Sequence, residues 1–180
     1  MLRLGAALRT LQDRVSRTGA SSELALQAAE DIERIAEQLE PYMYDVASDA
    51  SWDDLARGRG TSTIVPEWMD LVCDGRTLTA SVEFTPFHLG ANGAVHGGVL
   101  PLFLGSVLAT LVNTGRPLCR TAWLRVDYRN ITPVGRPLLV RAHVESIEGR
   151  KHLVRAFLHD DDVLCAEAAG LYIQLRADAA

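Results

Sequence analysis

The chain has 180 residues, a length that fits about one domain of ~100 to 200 residues. With 48% hydrophobic and 23% charged residues it can bury a core and lies outside the composition of disordered chains. Its formal charge of −5 comes without a basic block, which argues against the phosphate-neutralising surface that nucleic-acid binding requires.

In chain order, Leu4, Leu8, Leu11 and Val15 recur at the spacing of one helix face. The start is basic, with only Asp13 acidic before Glu23; it faintly resembles a mitochondrial presequence, but the same residues make an ordinary helix. Charges at Arg3, Arg9 and Asp13 interrupt the apolar residues too soon for a secretory core. Leu24, Ala28, Ile32, Ile35 and Leu39 form a second stripe, after a capping Ser21-Ser22 and before Pro41, so that helix should stop near Glu40. The short break Thr18-Gly19-Ala20 predicts an antiparallel helical hairpin, packed on the domain or on a partner subunit rather than on a membrane.

From Tyr42 to Pro66 the pattern fades, with Trp52 and Leu55 in one short turn of helix, and a boundary at residue 60 separates the helical extension (1–60) from the main domain (61–180). Strand signals follow at Met69 to Cys73 and Thr77 to Phe84, flanking an Asp74-Gly75 turn. Four more lie at Leu118 to Asn130, Pro137 to Ile147, His152 to Leu158 and Val163 to Leu175. The short links Pro133-Val134-Gly135, Glu148-Gly149-Arg150 and Asp160-Asp161-Asp162 predict antiparallel neighbours throughout. Among the strands, residues 97–112 carry no formal charge, and their apolar side chains cover every side of a helical wheel. That predicts a helix buried all round, too short for a bilayer and with Pro101 in its first turn. The expected architecture is α+β: one apolar helix with an antiparallel sheet curled around it.

The local sequence with chemical potential is Gly90-Ala91-Asn92-Gly93-Ala94-Val95-His96-Gly97-Gly98, which runs straight into that helix. Glycines let a backbone approach a ligand, and the first N–H groups of a helix favour negative charge. Such a loop can polarise a thioester carbonyl against the Gly97 or Gly98 N–H, with His96 orienting loop or ligand. Read without any likeness, a Gly-rich loop before a helix is more often a turn, and a lone His more often structural. Other chemistries lack their motifs: there is no GxSxG elbow, Walker loop, GxGxxG or HExxH. Cys73, Cys119 and Cys165 form no CxxC pair, and His88, His96, His143, His152 and His159 show no metal-ligand spacing. A reducing compartment, the cytoplasm, is expected.

Asn92-Gly93-x-x-His96-Gly97-Gly98 before the buried helix is followed by Arg120-Thr121-Ala122-x-Leu124-x-Val126-x-Tyr128-Arg129-x-Ile131-Thr132-Pro133 and by Glu148-Gly149-Arg150-Lys151. Together these resemble the hotdog-fold acyl-CoA thioesterases of the phenylacetate-pathway type, from about Val65 to Leu175. The resemblance implies a curved sheet around one helix, dimers or tetramers with sites at the subunit interface, and hydrolysis of acyl-CoA thioesters with neither metal nor cofactor. It maps Asn92, His96, Gly97 and Gly98 onto the substrate-loop and oxyanion positions, and sets Thr121 and Arg129 on a strand bordering the site. Arg150 and Lys151 would reach the CoA phosphates as point charges, although a solvated turn is the plainer reading of both.

One departure is chemical. The family's helix carries an Asp or Glu nine residues after this histidine, as general base or nucleophile; here that position is Gly105 and its neighbour is Ser106. No carboxylate occurs between Phe84 and Asp127, so the helix supplies none. General-base help is worth ~10² to 10⁴ in rate, and Ser106 is a weak nucleophile without a partner nearby in sequence. Asp127 or His88 could take the base's place after folding. Three expectations follow: a thioesterase-like hydrolase with a weakened or relocated base, a non-catalytic binder of acyl-CoA or another apolar ligand, or a subunit that borrows its carboxylate from a partner.

Overall fold

The structure is a computed structural model and describes residues 2–42 and 65–176. The helical turn expected at Trp52 and Leu55, and the boundary at residue 60, lie outside the described residues.

Helix α1 (Leu2–Val15) and helix α2 (Ser22–Leu39) form where the two apolar stripes place them. Ser21 caps α2 by accepting the Leu24 N–H at 3.3 Å, and the helix stops at Glu40, before Pro41. Within the chain the helices do not pack as a hairpin, and α2 lies on neither α1 nor the sheet domain, because every α2 residue is exposed. A break of a few residues permits two helices to fold together but supplies no apolar contact to hold them. Instead α1 touches the short helical turn Pro86–His88, and its Arg9 lies 3.6 Å from Glu67. No helix among the described residues is long and apolar enough to cross a membrane.

Six strands make one antiparallel sheet: β1 (Trp68–Cys73), β2 (Thr77–Glu83), β3 (Cys119–Tyr128), β4 (Pro137–Glu148), β5 (Lys151–Asp160) and β6 (Val163–Gln174). Their order in space is β1-β2-β4-β5-β6-β3. The β1–β2, β4–β5 and β5–β6 links are hairpins as expected, but β3 and β4 are not neighbours. The link 129–136 spends its backbone hydrogen bonds elsewhere. Arg129 and Asn130 N–H both donate to the Cys165 carbonyl, the Thr132 carbonyl accepts from Val95 N–H, and Gly135 N–H donates to Phe84. The segment thus crosses the end of the sheet and delivers β4 to β2, leaving β3 as an edge beside β6.

The uncharged helix is α3 (Val99–Asn113), held against β2 to β6. Phe103, Leu104, Val107, Leu108, Leu111 and Val112 are fully buried, each contributing about 1.5 to 3 kcal/mol. Burial is not complete all round: Leu102 is 40% exposed, and Pro101, Gly105 and Ser106 are half-buried. A six-stranded sheet curls around most of a helix but not all of it, so one stripe stays open. Phe103 meets Trp68 and Phe84 edge-on at 5.8 and 5.5 Å, joining the helix to β1 and the end of β2.

Two buried histidines make this core sensitive to acid. Burial holds His152 on β5 below the usual histidine range, helped by the Arg116 charge, and holds His88 below it against an opposing pull from Asp13. In both cases the unfolded chain binds more protons than the folded one. Stability is therefore full above the unfolded value near 6.5 and is lost as pH falls below it. The melting temperature is expected to fall between about pH 7.5 and about pH 5.5, and to fall less in His152→Leu. An equal drop in that variant, followed by circular dichroism, would remove His152 from the account.

Candidate active site

The stretch from Thr85 to Gly98 is built by local hydrogen bonds. At the turn Pro86–His88, the Thr85 N–H donates to His88 Nδ1 at 3.0 Å, and the Asp13 carboxylate accepts the Phe87 N–H at 3.1 Å. The chain then doubles back: Gly90 N–H donates to Ala94 O at 2.7 Å, and His96 N–H donates to His88 O at 2.8 Å. A Cβ on Gly90 would sit 2.7 Å from His96 Cα, so only glycine permits this closure. Asn92 takes the left-handed conformation at φ 57°, which asparagine tolerates, and its side chain is exposed.

Closure fixes the chemistry of His96. Its Nδ1 accepts the Gly98 N–H at 3.0 Å, so the neutral ring carries its proton on Nε2. In this arrangement His96 is a donor, not a base. The Gly98 N–H expected to face a ligand is occupied by the imidazole, whereas the Gly97 N–H has no acceptor among the described residues. Tyr128, at the end of β3, donates to Gly97 O at 2.6 Å and so holds the Gly97–Gly98 peptide whose N–H the imidazole engages. Sequence reasoning missed Tyr128 and Gly90. The alternation Leu124, Val126, Tyr128 does place the tyrosine on the helix-facing side of β3, but nothing local says which carbonyl it reaches.

Gly105 is bounded by a flexible side chain and by a hydrogen bond to its carbonyl. A Cβ there would lie 3.2 Å from Leu124 Cδ2, and the Tyr172 hydroxyl donates to its carbonyl at 3.0 Å. Burial pushes the Tyr172 phenol up to about 12, although a hydrogen bond with Thr121 lowers it, so it stays a neutral donor. Thr121 is thus engaged with Tyr172. Ser106 Oγ donates to Leu102 O at 2.9 Å, which turns its proton back into the helix. Along the axis, eight residues of ~1.5 Å rise separate Gly97 from Gly105, about 12 Å. One chain therefore cannot bring its own loop and its own position 105 onto one carbonyl.

The remaining expected residues lie elsewhere. Arg129 pairs with Glu167 at 2.5 Å and Asp127 at 3.9 Å, and Glu167 raises its pKa. Asp127 also holds Arg125 at 3.0 Å, so this carboxylate is spent as a counter-ion. His88 offers no free Nδ1. None of these supplies a base to the loop within the chain. Arg150 donates to Gln174 O at 3.1 Å; it and Lys151 are exposed at the hairpin beside the Cys119 end of β3. Tyr128 and the loop mark the opposite end, ~30 Å away at ~3.3 Å per residue. No cluster able to hold a metal occurs among the described residues.

No family model matches the chain. It is 37% identical over 108 residues to the acyl-coenzyme A thioesterase THEM4 of Xenopus laevis, a match covering 56% of this chain and 46% of that protein. It is 30% identical over 91 residues to the THEM4 of Rattus norvegicus, covering 49% and 39%. The chain thus spans less than half the length of either relative. A solved thioesterase superfamily protein is 27% identical, with a TM-score of 0.80 over 95% of this chain and 93% of its own. That span leaves no room to omit either N-terminal helix. A phenylacetic acid degradation-related protein from Ralstonia eutropha JMP134, 23% identical, has a TM-score of 0.56 over 68% and 98% and shares the fold. The fold is the hotdog fold, and the chain is related to thioesterase superfamily proteins.

The closure predicts a graded loss. Gly90→Ala must push the His96 backbone away, and Tyr128→Phe frees the Gly97 carbonyl. Ligand binding or turnover at the loop is expected to fall about tenfold or more in the first and less in the second, with melting temperatures changed by a few degrees at most. Unchanged function in Gly90→Ala would show that the loop's shape is not what matters.

Proposed function

We propose that this protein acts on acyl-CoA thioesters as a slow hydrolase of the thioesterase type, in a homodimer whose site lies between two chains. The observation that carries the reading is the Gly97 N–H, which no acceptor among the described residues engages, next in the chain to a His96 whose ring proton sits on Nε2. A thioester oxygen gripped there is stabilised as negative charge develops, with the donors preorganised by Tyr128, His88 and Gly90. Water then attacks the carbonyl, and the thiolate of CoA departs and takes up a proton.

Assembly is supported by the edge. β3 pairs only with β6 among the described strands, and Trp123 and Tyr128 on it are 43% and 55% exposed. Antiparallel pairing of two such edges would set the Cys119 end of one chain beside the Tyr128 end of the other. Arg150 and Lys151 of the second chain then approach the first chain's loop, where the CoA phosphates would lie, and its α3 brings Gly105 and Ser106. Cys73, Cys119 and Cys165 are free thiols, which fits a reducing compartment such as the cytoplasm.

With glycine at 105 and Asp127 tied to two arginines, no carboxylate among the described residues is placed to give the loop the general-base help worth ~10² to 10⁴. The same observation favours a second reading, a binder that holds acyl-CoA or another apolar ligand without turning it over. Steady-state assays on a panel of acyl-CoA thioesters, with calorimetry alongside, separate the two. Weak turnover that Gly105→Asp raises about tenfold or more supports the hydrolase; Leu124→Ala in the same chain makes room for the new side chain. Saturable binding with no product in either protein supports the binder. Neither binding nor product for any CoA ester ends both readings.

A further inference from the structure

The helix that precedes the sheet is tied to the loop that carries the donors. We infer that α1 is a positioning element for the active-site loop, acting through Asp13; the inference rests on the proposed site at that loop. The connection is a chain of hydrogen bonds. Asp13 Oδ1 accepts the Phe87 N–H at 3.1 Å, one of the donors that a helical turn leaves unsatisfied at its start. The next residue, His88, is locked by its own ring, whose Nδ1 accepts the Thr85 N–H at 3.0 Å and lies 3.0 Å from Thr85 Oγ. With that residue fixed, the His88 carbonyl accepts the His96 N–H at 2.8 Å, and His96 Nδ1 accepts the Gly98 N–H.

After the Asp13 carboxylate, every step lies on a backbone group or on a ring whose tautomer is set by the N–H it accepts, that of Thr85 for His88 and that of Gly98 for His96. Displacing the turn 86–88 therefore moves the His88 carbonyl, and with it the imidazole that must present Nε2–H. The close approach of Gly90 to His96 makes the coupling stiff, since neither strand of the loop can slide without the other.

The contact between α1 and this turn is not a broad apolar seam. A cavity of about 380 Å³ lies between them, lined by Asp13, Met69, Thr85, Phe87 and His88 among others. Where packing is open, a directional hydrogen bond has to set the distance. The Arg9–Glu67 pair at 3.6 Å anchors the same helix to the start of the sheet, so the Asp13 carboxylate is presented from a fixed rod. Asp13 touches neither donor, and its part is to hold them still.

Asp13→Ala and Asp13→Asn in the full chain test this, because the asparagine oxygen still accepts the Phe87 N–H while the charge is gone. Two readouts are needed: amide hydrogen exchange across 86–99, and steady-state hydrolysis of an acyl-CoA thioester. In Asp13→Ala, exchange at Phe87, His88 and His96 is expected to quicken about tenfold and kcat to fall about fivefold with KM nearly unchanged. Asp13→Asn should stay within about twofold of the parent in both. Exchange in Asp13→Ala within twofold of the parent overturns the inference. So does equal damage in both variants, which would trace the effect to charge beside His88, or loosened exchange with unaltered kinetics. If the parent protein hydrolyses nothing, the proposed function falls, and the exchange measurement still decides whether α1 holds the loop.

Discussion

Everything in this fold answers to the burial of one uncharged helix. From Gly97 to Val112 no side chain can face water in ionised form, and Phe103, Leu104, Val107, Leu108, Leu111 and Val112 are removed from solvent entirely. A flat sheet covers one face of a helix, so the strands must curl, with bulges in β3, in β4 and at Cys165 of β6 easing the bend. The helix's first turn then emerges at a fixed place on the rim. The donors at His96 and Gly97 inherit their position from the core, not from the loop alone.

The open stripe of α3 has the opposite meaning. Leu102, Gly105 and Ser106 are left partly uncovered on the side where the edge strand β3 ends its own pairing. Apolar residues and unpaired backbone together make a surface suited to a second copy. The proposed dimer fits the spacing along α3, since a site that used both the loop and position 105 would need two helices running past one another. Gly105 itself has close neighbours: a side chain there would make the Leu124 methyl give by a few tenths of an ångström, and Tyr172 occupies its carbonyl.

Much of the architecture was legible in order along the chain. Both N-terminal helices follow their stripes and caps, α3 follows its missing charges, and the strands lie within a residue or two of their sequence limits. Legibility failed where a contact joins distant segments. The β3–β4 link reads as a turn because it is short, yet its carbonyl and N–H groups bind Cys165, Val95 and Phe84. Arg129 reads as a ligand-facing cation, and its partner Glu167 lies on another strand. Gly98 reads as an open donor, and only the fold of the loop brings the ring of His96 onto it.

What the sequence by itself determined was the list of elements, the apolar centre and the glycine-rich entrance, because those depend on spacing between near neighbours. What the tertiary structure decided was which N–H remained free, which nitrogen of His96 carries its proton, and which carboxylates were already spent. Some of these partners are far off in the chain, as Glu167 is from Arg129 and Tyr128 from Gly97. Others, such as His96 and Gly98, are two residues apart but meet only in the loop's folded shape, which no spacing of residue types records.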